Sequence, residues 1–297
     1  MDKQNTISKE VTLEGINVFN GKTNYVTFYP AEDNTGIVFL VKNDKIEANL
    51  DNARFYRPLK WLMIPHTIAL QGERERAIKV EHTLSAFSML GIDNMRVILS
   101  DGVCPRYDWG VSRIVEELEP LIVPQTKDRN YLTLSSDIKE GDGFVQRGQD
   151  TLHVENDEGG VTYVVDFPHK AIGSQVASIA MDLSSYKDKI MHSRPVFFTP
   201  FGNKLLLRLF NKFHGIRDKN TVIIGTKRRP TYLNDFFCDG YDKDLLVKHK
   251  ILDVIGELRL LGNFKDTKFS FEKTGHEFDL YAMRTLRDRK CFVPYEG

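Results

Sequence analysis

The segment spanning residues 244–261, which contains LLVKHKILDVIGEL, sets the hardest condition on the fold. Val247, Ile251, Val254, Leu258 and Leu261 recur at helical spacing and form one apolar stripe. At about 100° per residue, His249 and Asp253 share the opposite side, one turn apart. That side is not a solvent face, because Leu246, Gly256 and Leu260 flank the pair. A helix that is apolar nearly all round is a buried helix, so other layers must enclose this one. Gly262 stops it. A buried imidazole and carboxylate are costly unless partnered, either as an ordinary ion pair or through a metal. Taken alone, His-x-x-x-Asp favours the ion pair.

A second acid-imidazole pair changes the balance. In AIKVEHTLSAF, residues 77–87, Glu81 and His82 stand side by side where a helix begins, and Gly91 ends that helix. Two His and one Asp, with a water in the fourth position, form a standard catalytic zinc site. Glu81 is adjacent to His82 and is better placed to accept a proton from that water than to bind the metal. The plainer role for Glu81 is an acid complementing the helix dipole. In EKTGHEF, His276 opens the final helix. A histidine there can stabilise a developing negative charge or protonate a leaving nitrogen. It can also be merely a polar residue at a helix start.

Around these pieces the chain alternates between strands and helices. Strands are expected at VTLEG, VTFYP, GIVFLV and MRVILS, then at YLTL, DGFVQR, TLHVEN, VTYVVDF, TVII and KFSFEK. Further helices are expected at VSRIVEELEPL, around LLLRLFNKF and at HEFDLYAMRTLRD. The polar stretch VPQTKDRN, residues 123–130, reads as a linker between an N-terminal domain (1–124) and a C-terminal domain (131–297). VEHTLSAFSMLG and VKHKILDVIGELRLLG share a Val-charged-His start and a Leu-Gly end, which hints at a duplication. The expected class is α+β, with two similar domains, each a sheet on a helix pair, the helices lying between the sheets.

Acidic and basic residues balance at 41 each in 297 residues, which gives no support to a nucleic-acid footprint. The run Lys227-Arg228-Arg229 before Pro230 reads as a solvated loop. Cys104, Cys238 and Cys291 are odd in number and far apart, as expected for reduced thiols rather than a disulfide framework. MDKQNTISKE carries no apolar signal segment, and no run approaches the ~18 residues of a spanning helix. The expectation is a cytoplasmic protein with no transmembrane segment.

Taken together, Glu81-His82 in VEHTLSAFSMLGIDN, His249-Lys250 and Asp253 in HKILDVIGEL, and His276 in KTGH carry a resemblance. They are similar to the zinc-dependent UDP-3-O-acyl-N-acetylglucosamine deacetylases of lipid A biosynthesis. EGINVFNGKTNYVTFYPAEDNTGIVF resembles the opening strands and Gly-rich loop of that family, and VDFPHKAIGSQ its second-domain insert. The order and spacing fit over essentially the whole chain. The resemblance implies two similar domains sandwiching their helices, with Zn²⁺ between them. It implies His82, His249 and Asp253 as metal ligands, a set that also suits Fe²⁺. It implies Glu81 as general base and His276 as general acid or electrostatic stabiliser. Lys250 matches a lysine near the substrate's hexose and phosphates. Glu257 stands where the family has an aspartate that orients the final histidine, a role that survives if the longer side chain reaches.

Departures fall in substrate-contact segments. The Gly-x-x-His-Thr-Gly loop is GINVFNG, with Phe19 and Asn20 in place of the histidine and threonine. The Met-Asp-Gly-Ser turn is YDWGV and keeps only Asp108. The Ala-Arg-Thr-Phe segment is HSRPVFF, so Pro195 replaces a threonine hydroxyl that helps hold the scissile carbonyl. Gly-Gly-Ser-x-Asp-Asn-Ala is HGIRDKNTV, one residue longer. The reading is a metal-dependent hydrolase that deacetylates an N-acetylated amino sugar, UDP-3-O-acyl-N-acetylglucosamine foremost. The alternatives are a related N-acetylated substrate, or an idle relative that binds a nucleotide sugar or a protein partner. Retention of Glu81 and His276 speaks against the idle relative, and an open fourth position speaks against a purely structural metal.

Overall fold

The structure is a computed structural model and describes residues 2–57, 66–169, 172–198, 216, 219–224 and 244–296. The helix expected around LLLRLFNKF, the basic run 227–229 and Cys238 lie outside the described residues. Among the described residues there are five α-helices: α1 (Glu81–Leu90), α2 (Ser112–Leu118), α3 (Leu183–Lys189), α4 (Leu245–Leu258) and α5 (His276–Asp288). No described helix is long and apolar enough to cross a membrane.

Two five-stranded sheets carry the architecture. The first runs, edge to edge, Val11–Ile16, Thr23–Pro30, Met95–Leu99, Ile37–Val41, Asp44–Glu47. The second runs Phe144–Arg147, Asp150–Asn156, Thr267–Glu272, Gly160–Phe167, Gly173–Ile179. In both, two antiparallel hairpins flank a central strand that comes last in the chain. In both, that strand is antiparallel to one neighbour and parallel to the other. In both, the helix just before the central strand, α1 or α4, carries one of the Val-charged-His sequences. The same topology occurs twice, which is the structural counterpart of the similarity between the two helix sequences. The class is α+β.

Period-two burial sorts the strands as a one-sided sheet requires. Val26 and Phe28 are buried while Tyr25 is 45% exposed. Phe269 and Phe271 point inward from the second sheet. The inner faces and the helices form one continuous core. α1 ends at Gly91, whose φ of 68° is the left-handed C-terminal cap that glycine adopts without strain. α2 gives way to a 3-10 turn, Glu119–Leu121, which contains Pro120.

α4 is the helix that its sequence required to be enclosed. Val247, Ile251, Leu252, Val254 and Ile255 are all 0% exposed. It packs against α1 on one side and against strand Gly160–Phe167 on another. The α1–α4 crossing is set by Gly256. A Cβ there would lie 1.8 Å from the Glu81 carbonyl oxygen and 3.0 Å from the Ser85 nitrogen. Both are backbone atoms of the α1 N-terminal turn, so no side-chain rotation can relieve the clash.

The stretch expected as a linker is a strand. Ile122–Asp128 pairs antiparallel with Lys3–Ile7, with Ile7 opposite Ile122 and Thr6 opposite Val123. Its partner lies more than a hundred residues away, so nothing local to 123–130 announces it. Pro124 is tolerated because this is a two-stranded ribbon with open edges. A second ribbon follows at once: Leu132–Leu134 pairs with Phe292–Pro294 from the other end of the chain.

Gly256→Ala is expected to lower stability by about 2 kcal/mol or more, the range of overpacking in a core that cannot relax. Urea denaturation of the variant measures this. A midpoint equal to wild type would show that α1 and α4 can separate freely.

Candidate metal centre

The chain enters α1 through a strained turn. Lys79 has φ 66° and Val80 is the N-cap, so Glu81 and His82 occupy the first helical positions. Glu81 is 2% exposed. Its carboxylate accepts hydrogen bonds from Thr67 Oγ1 at 2.5 Å and from the Ile68 N–H at 3.2 Å. The strand Thr67–Gln71 thus holds the acid in place, whatever the helix dipole adds.

His82 Nε2 lies 3.2 Å from Asp253 Oδ1, and His249 Nε2 lies 3.5 Å from the same oxygen. The two rings meet edge to face, 84° apart. One donor atom from each of the three residues falls within 4.8 Å of the others. Around a tetrahedral zinc with bonds of about 2.0–2.1 Å, neighbouring donor atoms lie about 3.3 Å apart. The two separations to Asp253 Oδ1, 3.2 and 3.5 Å, are close to that spacing. The protonation states fit too. Burial pushes His249 down to about 4 and holds His82 well below its ordinary value, with Lys79 adding to the effect on His82. Both rings are therefore neutral at pH 7 and offer lone pairs. Burial alone would raise Asp253, but His249, Lys250 and the bond from His82 hold it well below the usual carboxylate range. Two neutral imidazoles and one carboxylate are a donor set suited to Zn²⁺ or Fe²⁺.

His276 opens α5, and its Nε2 lies 4.0 Å from Asp253 Oδ2. Its Nδ1 bonds the Glu257 carboxylate, so the longer side chain does reach. Burial works against the imidazolium, yet the Glu257 carboxylate outweighs it and lifts His276 to about 9. Glu81, Asp253 and His276 also bring one polar atom each to within 4.8 Å of one another. Glu257 is itself raised, first by burial and then by Asp279, which lies one turn along α5 and is fully buried. Lys250 Nζ sits 3.3 Å from Asp253 Oδ2 and 5.7 Å from the Tyr163 ring centroid.

These groups open onto a cleft of about 440 Å³. His249, Lys250, Asp253 and His276 form one part of its wall, and Phe55, Phe167, Val196 and Phe278 give it an apolar part. Arg57, Arg147 and Asp150 add charge. The Arg147 guanidinium lies over the rings of Phe278 and Tyr281, at 5.7 and 5.1 Å. Pro195 lines the cleft. Phe19 does not; it packs edge-on against Tyr56. Asn20 accepts the Lys22 N–H in a local turn, and Asp108 is exposed in a separate recess.

Several residues at the centre escaped the sequence reading. Lys79 is 4% exposed, and its Nζ lies 2.9 Å from His82 Nδ1. Burial brings this ammonium down to about 8, which leaves it charged at neutral pH. A lysine between Ile78 and Val80 in an otherwise apolar approach to the helix was the available signal. Asp279 could have been found as the residue three on from His276, on the same helix face. Arg147 and Asp150 flank the hairpin turn at Gly148, where local pattern gives no reason to expect them in a cleft.

Comparison with known proteins agrees with this geometry. The UDP-3-O-acyl N-acetylglycosamine deacetylase family matches residues 4–288. A UDP-3-O-acyl-N-acetylglucosamine deacetylase of Marinobacter nauticus is 29% identical over 97% of this chain and 90% of its own length. Proteins of the same name from Hahella chejuensis and Campylobacter jejuni are 28% and 27% identical, each over 98% of this chain and over 92% and 94% of their own lengths. A single family accounts for nearly every residue between the first strand and the end of α5, and this chain belongs to it: the UDP-3-O-acyl N-acetylglycosamine deacetylases.

Proposed function

We propose that this protein is a metal-dependent deacetylase that removes the N-acetyl group of UDP-3-O-acyl-N-acetylglucosamine in lipid A biosynthesis, in the cytoplasm. The observation that carries the reading is the convergence of donor atoms of His82, His249 and Asp253 within 4.8 Å of one another, with Glu81 and His276 beside them. A divalent metal, Zn²⁺ foremost, would supply Lewis acidity when bound, able to polarise an amide carbonyl and acidify a water molecule. His82, His249 and Asp253 would hold it.

The remaining steps fall to the chain's own groups. Glu81, fixed by Thr67 and the Ile68 N–H, is placed to accept the proton that the attacking water gives up. His276, kept as an imidazolium by Glu257, is placed to stabilise the tetrahedral oxyanion and to hand a proton to the departing amine. Lys250, Arg57 and Arg147 present positive charge to the phosphates of a nucleotide-linked sugar. Phe55, Phe167 and Phe278 offer apolar surface to an acyl chain. A related N-acetylated sugar remains the second reading, because Pro195 brings no hydroxyl to the cleft.

The direct test is release of acetate from UDP-3-O-acyl-N-acetylglucosamine by the metal-loaded protein and its loss on chelation. No acetate from any loaded form would overturn the reading. His82→Ala and His249→Ala are expected to abolish stoichiometric metal binding. Glu81→Gln is expected to keep the metal and lose about 10²–10⁴ in kcat, the usual contribution of a positioned base. Metal analysis beside the kinetics separates a ligand from a base.

The pH profile tests the role of His276. A required imidazolium is present below its pKa and lost above it, so kcat/KM should fall as pH rises through about 9. Glu257→Gln removes the carboxylate that supports the charge. The alkaline limb should then move down by about one unit or more, since one unit corresponds to about 1.4 kcal/mol of lost interaction. An unmoved limb would assign it to another group.

Pro195→Thr restores a hydroxyl beside the scissile amide. It should raise kcat/KM for UDP-3-O-acyl-N-acetylglucosamine by up to about 10², the scale of a single donor to an oxyanion. A wild-type value already within about 10⁴–10⁸ M⁻¹s⁻¹ would show that the hydroxyl is dispensable.

A further inference from the structure

Lys79 stands in an unusual place relative to His82. Its backbone is held in the left-handed region, φ 66°, with its N–H bonded to the Ile68 carbonyl at 2.8 Å. This turn directs a side chain that is 4% exposed at the imidazole, with Nζ 2.9 Å from Nδ1 and 3.5 Å from Nε2. An imidazole that binds a metal through one nitrogen almost always donates its other N–H to a carboxylate, a carbonyl or a water. An ammonium has three donors and no acceptor. Ligation through Nε2 leaves the hydrogen on Nδ1, so two donors then face each other. His249 offers no compensation, because its Nδ1 has no hydrogen-bond partner among the described residues.

Charge points the same way. Glu81 and Asp253 bring carboxylates to the centre, and the ammonium groups of Lys79, beside His82, and Lys250, beside Asp253, balance them. Arg106 adds a further buried positive group near Lys79 and Glu81. A divalent cation therefore enters a pocket whose negative charge is already answered. We propose that Lys79 is a positioning residue that sets the affinity of the metal centre and weakens it, by taking the place where His82 would otherwise find an acceptor. This rests on His82, His249 and Asp253 being the ligands. The result is a centre that exchanges its metal more readily than its three donors alone would allow.

The test is metal affinity, read without turnover. The stripped full-length protein, Lys79→Met and Lys79→Gln are each titrated with Zn²⁺ against a chromophoric chelator, and release into excess chelator is timed. Circular dichroism confirms the fold of each. Lys79→Gln should bind at least about ten-fold tighter and release more slowly, since its amide oxygen can accept from Nδ1–H and second-sphere partners typically change affinity 10–100-fold. Lys79→Met should also bind tighter, by less. If Lys79→Met does not fold, Lys79→Gln decides alone. One zinc per chain in wild type, with unchanged or weaker binding in the folded variants, overturns the proposal and leaves the ligand assignment standing. No stoichiometric zinc in wild type, with His249→Ala behaving identically, sinks the ligand assignment and the proposal with it.

Discussion

Asp253 is an ionised carboxylate at 3% exposure, and removing such a group from water costs several kcal/mol unless positive charge and hydrogen bonds replace the lost hydration. The replacements come from three helices. His82 reaches it from α1, His249 and Lys250 from its own helix α4, and His276 faces its other oxygen from α5. Each of those side chains is useful only if the helices approach closely and in one register. That requirement explains why a glycine sits at the α1–α4 crossing and why α4 has no solvent face. The core is built around a polar point rather than merely surrounding it.

Much of this was legible because helices report themselves through periodicity. The placement of His249 and Asp253 on one face, the start of α1 at Glu81 and of α5 at His276, and the enclosure of α4 all follow from spacing within short windows. The strand Ile122–Asp128 was not legible, because its only pairing partner is Lys3–Ile7 and its own composition is polar. Lys79 was not legible either. A lysine beside a candidate ligand reads as a surface residue until the left-handed turn and the strand Thr67–Gln71 fold it inward. Of the charged groups of the cleft, Arg147 and Asp150 share one hairpin of the second five-stranded sheet while Arg57 follows the strand Ala53–Tyr56 of another sheet, and only the tertiary arrangement brings them together.

The charge distribution divides the site into two territories. Around Asp253 the basic groups Lys79 and Lys250 gather, which suits stabilisation of an oxyanion and works against a bound cation. Behind His276, the Glu257 carboxyl is the group that raises the imidazole against burial. Histidine alone in such a dry place would be neutral. Its charge is supplied from behind, by a glutamate on the same helix as His249 and Asp253. Of the departures from the family pattern, Phe19, Asn20 and the YDWGV turn do not line the cleft, whereas Pro195 does.

The two short ribbons lie on either side of residues 129–131. The strand before them, Ile122–Asp128, is stitched to Lys3–Ile7, and the strand after them, Leu132–Leu134, is stitched to Phe292–Pro294. The first stitch closes the stretch of chain that holds Glu81 and His82, and the second closes the stretch that holds His249, Asp253 and His276. The groups that meet at Asp253 therefore come from two separately closed loops of backbone, and the α1–α4 contact at Gly256 is where one loop is registered against the other.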